Sequence, residues 1–276
     1  MRMISLAGQN VPVLGQGTWY MGDGPARREE EVRALRTGID VGMNLIDTAE
    51  MYGSGRSEEL VGEAIRGRRD EVFLVSKVLP NNASRTGTVQ ACEASLRRLG
   101  TDRLDLYLLH WEGSYPLSDT FAAFEELREQ GKIGAWGVSN FDRVELAEAQ
   151  ELAAQSISTN QVLFNLQRRW PEAGLLQDMQ AAGIPMMAYS PIEQGVLTEG
   201  SLALENVAAR HGATPAQAAL AWVISHPGVI AIPKASSEAH VRENASAADI
   251  SLTEEDFAEL TAAFPEPPAG APIEIL

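Results

Sequence analysis

The sequence predicts an α/β fold of the (β/α)8 type, a TIM barrel, formed as a single domain over residues 1–276. Short apolar runs rich in Val, Ile and Leu alternate with amphipathic helical segments along the whole chain. Such runs suit strands that are covered on both faces, as in a parallel sheet. The length of 276 residues is typical of one barrel, and a hydrophobic content of 45% is enough to fill its core.

The predicted strands follow one another at regular intervals. We expect eight of them, at residues 13–17, 44–47, 72–77, 104–110, 133–139, 158–162, 185–190 and 229–233. Between them, Asp142 begins one helical segment as a predicted N-cap. Four helices are predicted to end at a glycine, which takes the left-handed conformation readily, and these are Gly100, Gly131, Gly183 and Gly212.

Three further elements lie around the repeating units. Residues 4–13 carry Gln9 and Asn10 between two short apolar runs, which predicts a small hairpin covering the N-terminal end of the barrel. The long connection 189–233 leaves room for an additional helix. Thr253 begins a last helix, which a proline-rich end follows.

Charge and cysteine content exclude several classes of partner. A net charge of −16 and a pI near 4.7 argue against a nucleic acid or an anionic membrane, since both bind a concentrated basic face. The single cysteine, Cys92, leaves no disulfide framework, and the four scattered histidines predict no metal site. Because no segment resembles a secretory leader or a membrane span, we expect a cytoplasmic protein.

Polar side chains collect where the predicted strands end. In a barrel these ends converge on one mouth, where active sites form. One polar residue at a strand end can simply meet water, but a set that includes Asp, Lys and His predicts a site. The set comprises Asp47, Lys77, His110, Ser139, Asn140, Asn160, Gln161, Tyr189, Ser190 and Lys234.

Tyr52, five residues beyond the second predicted strand, completes a proton-donating group. A free tyrosine has a pKa near ~10, and an adjacent lysine ammonium is expected to lower it. Asp47 would hold Lys77 charged, and a neutral His110 would orient a substrate carbonyl through a hydrogen bond. These four residue types together predict acid catalysis at a carbonyl group.

Reduction of a carbonyl requires hydride, which no side chain supplies but a nicotinamide cofactor does. The aromatic ring of Tyr189 can stack on a nicotinamide, and Ser139, Asn140 and Gln161 can bind its carboxamide. No G-x-G-x-x-G sequence follows a predicted strand, so a Rossmann-type cofactor site is disfavoured.

Over nearly its whole length the sequence resembles the aldo-keto reductases. The resemblance is carried by nine stretches, in the family's order, at residues 15–19, 46–52, 75–77, 105–111, 136–141, 160–161, 188–191, 232–234 and 242–244. It implies a catalytic tetrad of Asp47, Tyr52, Lys77 and His110, with Tyr52 as general acid.

The same resemblance implies an extended NADP(H) across the barrel mouth. Ser139, Asn140 and Gln161 would hold the carboxamide and Tyr189 would stack on the ring. Further along the cofactor, the implied contacts are Ser190 and Ile192 at the pyrophosphate, Lys234 at the 2′-phosphate, and Glu243 and Asn244 at the adenosine.

One position departs from the family pattern. Many members carry an arginine six residues after the lysine, close to the adenine or its 2′-phosphate, whereas this chain has His240, with Arg242 two residues later. A lysine without that arginine holds a phosphate less firmly. Ser236 and Ser237 can add hydrogen bonds, and the resemblance still favours NADPH over NADH.

Within the family, the sequence is similar to short bacterial members that act as methylglyoxal reductases or diketogluconate reductases. A short C-terminal segment after the last helix predicts an open pocket for small dicarbonyls or several aldehydes. The resemblance also implies keto-sugar acids as a substrate class, and a monomer. Candidate pocket walls are Trp19, Tyr20 and Trp111. For Trp170 the sequence leaves two assignments open, a pocket wall or a packing residue of the core.

Two other classes remain as alternatives. The first is a catalytically weak, cofactor-binding interaction protein similar to the potassium-channel β subunits. The second is a cofactor-free barrel enzyme with Lys77 as a Schiff-base nucleophile, which would leave Tyr189, Asn140 and Gln161 without a role.

Overall fold

The computed structural model describes residues 1–153, 156–198 and 200–276. In these ranges the chain forms ten strands, which are β1 (Met3–Leu6), β2 (Gln9–Pro12), β3 (Gln16–Gly17), β4 (Leu45–Asp47), β5 (Phe73–Val78), β6 (Leu104–Leu109), β7 (Ile133–Ser139), β8 (Asn160–Leu163), β9 (Met186–Tyr189) and β10 (Val229–Ala231). The ten α-helices are α1 (Arg28–Asp40), α2 (Arg56–Ala64), α3 (Arg85–Leu99), α4 (Leu117–Glu129), α5 (Arg143–Leu152), α6 (Leu175–Ala181), α7 (Leu202–Arg210), α8 (Pro215–Ser225), α9 (Glu238–Ser246) and α10 (Glu254–Ala263).

Strands β3 to β10 form one parallel sheet in sequence order. Parallel bridges join Leu14 to Ala231 and Gly17 to Lys234, so the first strand meets the last. The Gly17 amide donates to the Pro233 carbonyl at 3.0 Å across this seam. The predicted (β/α)8 barrel is therefore confirmed, although its first strand is shorter than the predicted 13–17.

A hairpin of β1 and β2 covers the N-terminal end of the barrel, as predicted, but its turn was placed wrongly. Gln9 and Asn10 lie in β2, paired with Leu6 and Ser5. The turn is made by the preceding two residues, whose φ angles are 52° and 76°. Two consecutive positive φ angles match the right-handed twist of the strands, and glycine accepts the second without strain.

The helix ends follow the sequence signals. Gly100 caps α3 in the left-handed conformation, and Gly131, Gly183 and Gly212 also have positive φ angles beyond the ends of their helices. Asp142 and Thr253 each form a reciprocal capping box at the start of α5 and α10. The connection 189–233 holds two helices, α7 and α8, which is one more than a β/α unit needs, as the length of this connection predicted.

The core has two parts. A larger cluster fills the space between the strands and the surrounding helices, while a second lies inside the barrel and includes Leu6 and Val11 from the hairpin. Trp170 is buried with 4% exposure in the outer cluster, so it is a packing residue. No helix in the described ranges combines the length and apolar character needed to cross a bilayer.

Candidate active site

The carboxyl ends of the strands bring the predicted site residues to one mouth. Asp47 is the last residue of β4, and Lys77 lies near the end of β5. His110 directly follows β6, and Ser139 closes β7 opposite Gln161 of β8. Parallel register between neighbouring strands places these side chains at the same level of the barrel.

Lys77 lies at the centre of the predicted tetrad. Its Nζ donates to Asp47 Oδ2 at 2.7 Å, to the Thr48 carbonyl at 3.0 Å and to Tyr52 Oη at 3.1 Å. Both members of the ion pair are buried, with side chains 0% and 2% exposed. The His110 ring meets the Tyr52 ring edge-on, with centroids 5.9 Å apart. The structure thus brings all four residues together.

Tyr52 reaches Lys77 because the chain turns sharply after β4. A 3-10 turn, Tyr52–Gly55, follows the strand and leads directly into α2. Inside this turn Gly53 and Ser54 have φ angles of 56° and 55°. Positive φ angles are rare for a residue with a side chain, so local sequence preferences do not predict this geometry.

The direction of the Tyr52 pKa shift differs from the prediction. Burial raises the pKa of Tyr52 above its usual value near 10, Lys77 lowers it, and Asp47 raises it again, with a net rise. Burial lowers the pKa of Lys77, but Asp47 and Tyr52 raise it by more, so the amine stays an ammonium. The expected contribution of Lys77 is present, but desolvation of a phenolate outweighs it.

His110 stays neutral in this environment. Burial lowers its pKa to about 2, and the nearby positive charge of Lys77 acts in the same direction. Its Nδ1 is buried and has no hydrogen-bond partner within the described chain. The other ring nitrogen, Nε2, is not buried in this way, so it is the one through which a neutral imidazole can hydrogen-bond an added ligand.

The predicted carboxamide-binding residues are tied to the tetrad. Gln161 Nε2 donates to Asp47 Oδ1 at 2.8 Å, which sequence reasoning missed. Asn140 Nδ2 donates to the His110 carbonyl at 3.1 Å, and Tyr189 Oη donates to Asn140 Oδ1 at 2.9 Å. Ser139 Oγ donates to the Gln161 carbonyl at 2.8 Å. The donors of Ser139 and Gln161 are thereby engaged within the protein.

A groove with a volume of about 780 Å³ runs from the tetrad to α9. We call it the mouth groove. Its walls include these predicted residues: Trp19, Tyr20, Asp47, Tyr52, Tyr189, Ser190, Ile192, Lys234, Ser236, His240, Glu243 and Asn244. Its lining also includes residues that sequence reasoning missed: Arg27, Gln194, Gly195, Thr214, Pro215 and Ala216. The pair Thr214-Pro215 is a recognisable signal for the start of a helix, and it begins α8. The sequence does not show, however, that this helix start lies against the groove.

The mouth groove has the donors that a dinucleotide needs. Ser236 Oγ is buried and lacks a partner among the described residues. The Lys234 ammonium likewise forms no ion pair with any residue that the structure describes. A free hydroxyl and a free cation at one end of an elongated groove fit a phosphate group. The residues present are therefore compatible with a bound NADP(H).

The aromatic residues predicted as pocket walls surround Tyr52 and His110. Trp19 and Tyr20 stack with ring centroids 4.7 Å apart, and Trp19 also stacks on Tyr52 at 6.4 Å. Trp111 is 36% exposed, and its ring centroid lies 4.8 Å from that of His110. These rings place an apolar surface beside the tetrad.

The C-terminal segment returns to the mouth, although its shortness predicted an open rim. Arg168 forms ion pairs with Glu274 at 2.6 Å and with Glu193 at 3.0 Å. Burial raises the pKa of Tyr189, and the nearby Leu276 backbone acts in the opposite direction. The segment is held by side chains of the loop after β8, which length alone does not reveal.

Comparison with known proteins identifies the family. The sequence pattern of the Aldo/keto reductase family matches residues 13–264. The chain belongs to this family. Aldo/keto reductases similar to it include methylglyoxal reductase YeaE of Escherichia coli (strain K12), 48% identical over 281 residues, covering 100% of this chain and 99% of that protein. Glyoxal reductase of Bacillus subtilis (strain 168) is 36% identical over 258 residues, covering 92% of this chain and 90% of that protein.

Solved structures show the same relationship. An aldo/keto reductase from Klebsiella pneumoniae in complex with NADP and acetate is 48% identical, with a TM-score of 0.96 and 99% of each chain covered. A putative 2,5-diketo-D-gluconic acid reductase B is 33% identical, with a TM-score of 0.87, covering 100% of this chain and 95% of that one. The barrel of this chain is thus a family feature.

Proposed function

We propose that this aldo/keto reductase uses NADPH to reduce small aldehydes and dicarbonyls, such as methylglyoxal, with Tyr52 as the proton donor. The observation that carries the proposal is Lys77 Nζ held between Asp47 Oδ2 at 2.7 Å and Tyr52 Oη at 3.1 Å. This arrangement opens on the mouth groove, which Asp47 and Tyr52 both line. Keto-sugar acids are the second substrate class that we would test.

The protein would hold the cofactor along the mouth groove. Tyr189 would stack on the nicotinamide, Ser190 and Ile192 would lie along the pyrophosphate, and Lys234 with Ser236 would meet the 2′-phosphate. Bound there, the reduced nicotinamide would supply the hydride that the carbonyl carbon accepts. The relatives crystallised with NADP support this choice of cofactor.

Tyr52 and its neighbours would handle the proton. The raised pKa keeps the phenol protonated at neutral pH, which is the state a general acid requires. As the carbonyl oxygen takes the Tyr52 proton, the adjacent Lys77 ammonium would stabilise the tyrosinate left behind. Neutral His110 would hydrogen-bond the same oxygen and orient it. Solvent would then return a proton to Tyr52.

The state of Lys77 argues against the Schiff-base alternative. A lysine attacks a carbonyl only as the free amine. Here the amine is fully buried, paired with Asp47, and has a raised pKa. Lys77 is better suited to stabilising a neighbouring negative charge than to forming a covalent adduct.

Replacing Tyr52 tests the proton-donor role directly. Tyr52→Phe should lower kcat for NADPH-dependent methylglyoxal reduction by ~10²–10⁴-fold, because it removes the general acid alone. The NADPH dissociation constant, measured by quenching of tryptophan fluorescence, should change by less than about twofold. The matched control is Tyr115→Phe, at a tyrosine 41% exposed that does not line the mouth groove.

Two results would contradict the proposal. Unchanged turnover in Tyr52→Phe would remove this residue from the acid role. If the unmodified protein binds NADPH but reduces neither methylglyoxal, a diketogluconate nor an aromatic aldehyde, the interaction-protein alternative is favoured instead.

A further inference from the structure

Arg27 is a cation of the mouth groove that sequence reasoning did not consider. It ends the 3-10 turn Pro25–Arg27 and directly precedes α1. Its exposed side chain lines the groove together with Lys234 and His240. Within residues 1–153, 156–198 and 200–276, neither Arg27 nor Lys234 has a side-chain hydrogen bond or an ion pair.

Contacts between α1 and α9 place Arg27 at the Lys234 end of the groove. Thr37 Oγ1 donates to Glu238 Oε2 at 3.0 Å, and Arg33 Nε lies 3.7 Å from Glu238 Oε1. Glu238 is the first residue of α9, four residues after Lys234. Barrel helices begin near the mouth, so going back along α1 from Arg33 to Arg27 leads towards the groove.

The unpaired state of Arg27 is informative because the protein is strongly acidic. The net charge is −16, so carboxylates are abundant, and nearby arginines form ion pairs with them. Arg28 pairs with Glu63 at 2.9 Å, and Arg56 with Asp23 at 2.9 Å. Two free cations facing one cavity form a local positive site against the overall field. A phosphate monoester carries up to two negative charges near neutral pH, and a guanidinium can bind it with two parallel hydrogen bonds.

We propose that Arg27 is the second cationic ligand of the 2′-phosphate of NADPH, acting with Lys234. From the turn that precedes α1, it would supply the guanidinium that position 240 lacks. This proposal rests on the NADPH-dependent function proposed above. It makes the turn 25–27 a determinant of NADPH over NADH preference.

Binding measurements test the proposal without turnover. Dissociation constants for NADPH, NADH and adenosine 2′,5′-bisphosphate would be measured by calorimetry for the unmodified protein, Arg27→Ala and Arg27→Lys. Arg27→Ala should weaken NADPH and the bisphosphate about tenfold, which equals ~1.4 kcal/mol, and leave NADH within about twofold. Arg27→Lys should restore part of the loss, since it keeps the charge but not the fork of donors.

Arg28→Ala is the matched control. It removes the same charge from the neighbouring residue, which pairs with Glu63 and does not line the groove. It should leave all three constants unchanged, and an equal loss in this variant would show that only net charge matters and overturn the assignment.

Other outcomes separate this proposal from the function on which it rests. Equal weakening of NADPH and NADH in Arg27→Ala would place Arg27 at the pyrophosphate and overturn the 2′-phosphate assignment. No change in Arg27→Ala, together with selective loss of NADPH in Lys234→Ala, would overturn the role of Arg27 alone. If the unmodified protein does not bind NADPH, both proposals fail.

Discussion

In the proposed reaction, two requirements of an acid catalyst are met at Tyr52 by different neighbours. Burial raises the pKa of the phenol, so the proton is present at neutral pH. Lys77 lowers the same pKa, and its ammonium lies 3.1 Å from the oxygen that becomes negative. In the proposed reaction the lysine would therefore matter most after the proton has left, when it would stabilise the tyrosinate.

His110 gives a prediction for the pH dependence of the reaction. A group whose pKa is lowered to about 2 by burial and by Lys77 gains a proton only near that pH. Lowering the pH from 8.5 to 5.5 therefore leaves His110 neutral. We expect kcat/KM for an aldehyde, measured in short NADPH oxidation assays, to show no acidic limb from His110 in that range.

The variant His110→Gln provides the comparison. Its kcat/KM should fall by about 10–100-fold because the carbonyl loses an orienting hydrogen bond, but the shape of the profile should not change. An acidic limb near pH 6.5 in the unmodified protein that disappears in His110→Gln would contradict a neutral, buried His110.

Among the elements, the loop after β9 depends on contacts from the loop after β8. Glu193 is only 7% exposed and has a φ angle of 46°. Asn165 Nδ2 donates to Glu193 Oε2 at 2.7 Å, and Arg168 Nε to Glu193 Oε1 at 3.0 Å. The next residues, Gln194 and Gly195, line the mouth groove. Arg168 also binds Glu274, so it links this groove wall to the C-terminal segment.

We therefore expect Arg168 to act as a positioning residue. Removing a partly exposed ion pair costs about 1 kcal/mol, equivalent to roughly a fivefold change in an equilibrium. Arg168→Ala should raise KM for NADPH about fivefold while kcat for aldehyde reduction stays within about twofold, because no reacting group is touched. Steady-state kinetics with varied NADPH measures both values.

The controls distinguish positioning from general stability. Arg168→Lys should recover part of the KM change. Arg103→Ala breaks an ion pair with Asp70 that is remote from the groove, so KM should not move. An unchanged KM in Arg168→Ala would show that the loop holds its shape without this link.

Helix ends that depend on a local cap were predictable from the sequence. Turns that depend on positive φ angles at residues other than glycine were not. Asp142 and Gly100 mark helix ends because a side-chain cap and a left-handed glycine act within one turn. The turn 52–55 and Glu193 instead use positive φ angles at residues with side chains. Such angles are imposed by tertiary contacts, so local preference does not reveal them.

For the whole molecule, barrel topology explains how much of the site was predictable. Each strand end projects to one mouth, so the order of strands along the chain is enough to group Asp47, Lys77 and His110. The bond from Gln161 to Asp47 joins residues 114 positions apart, and the ion pair of Arg168 with Glu274 joins residues 106 apart. Such contacts depend on side-chain directions across the barrel, which a sequence pattern does not specify.

The barrel also separates stability from chemistry, with the hairpin at one end and the candidate active site at the other. Leu6 is fully buried and packs with Val11 against the barrel interior. Leu6→Ala should destabilise the fold by about 3 kcal/mol, through lost burial and a cavity that the closed strands cannot fill. For a chain of this size the loss corresponds to a fall in Tm of roughly 5–10 °C.

Calorimetry and kinetics on the same samples test this separation. At a temperature where both proteins are folded, kcat/KM for aldehyde reduction should be equal in Leu6→Ala and in the unmodified chain, since N-terminal barrel residues serve stability. Met3→Ala, in the same hairpin at a residue 48% exposed, should change neither property. A large loss of kcat/KM in folded Leu6→Ala would mean that packing under the barrel is transmitted to the strand ends carrying Asp47 and Lys77, and that the two ends are coupled.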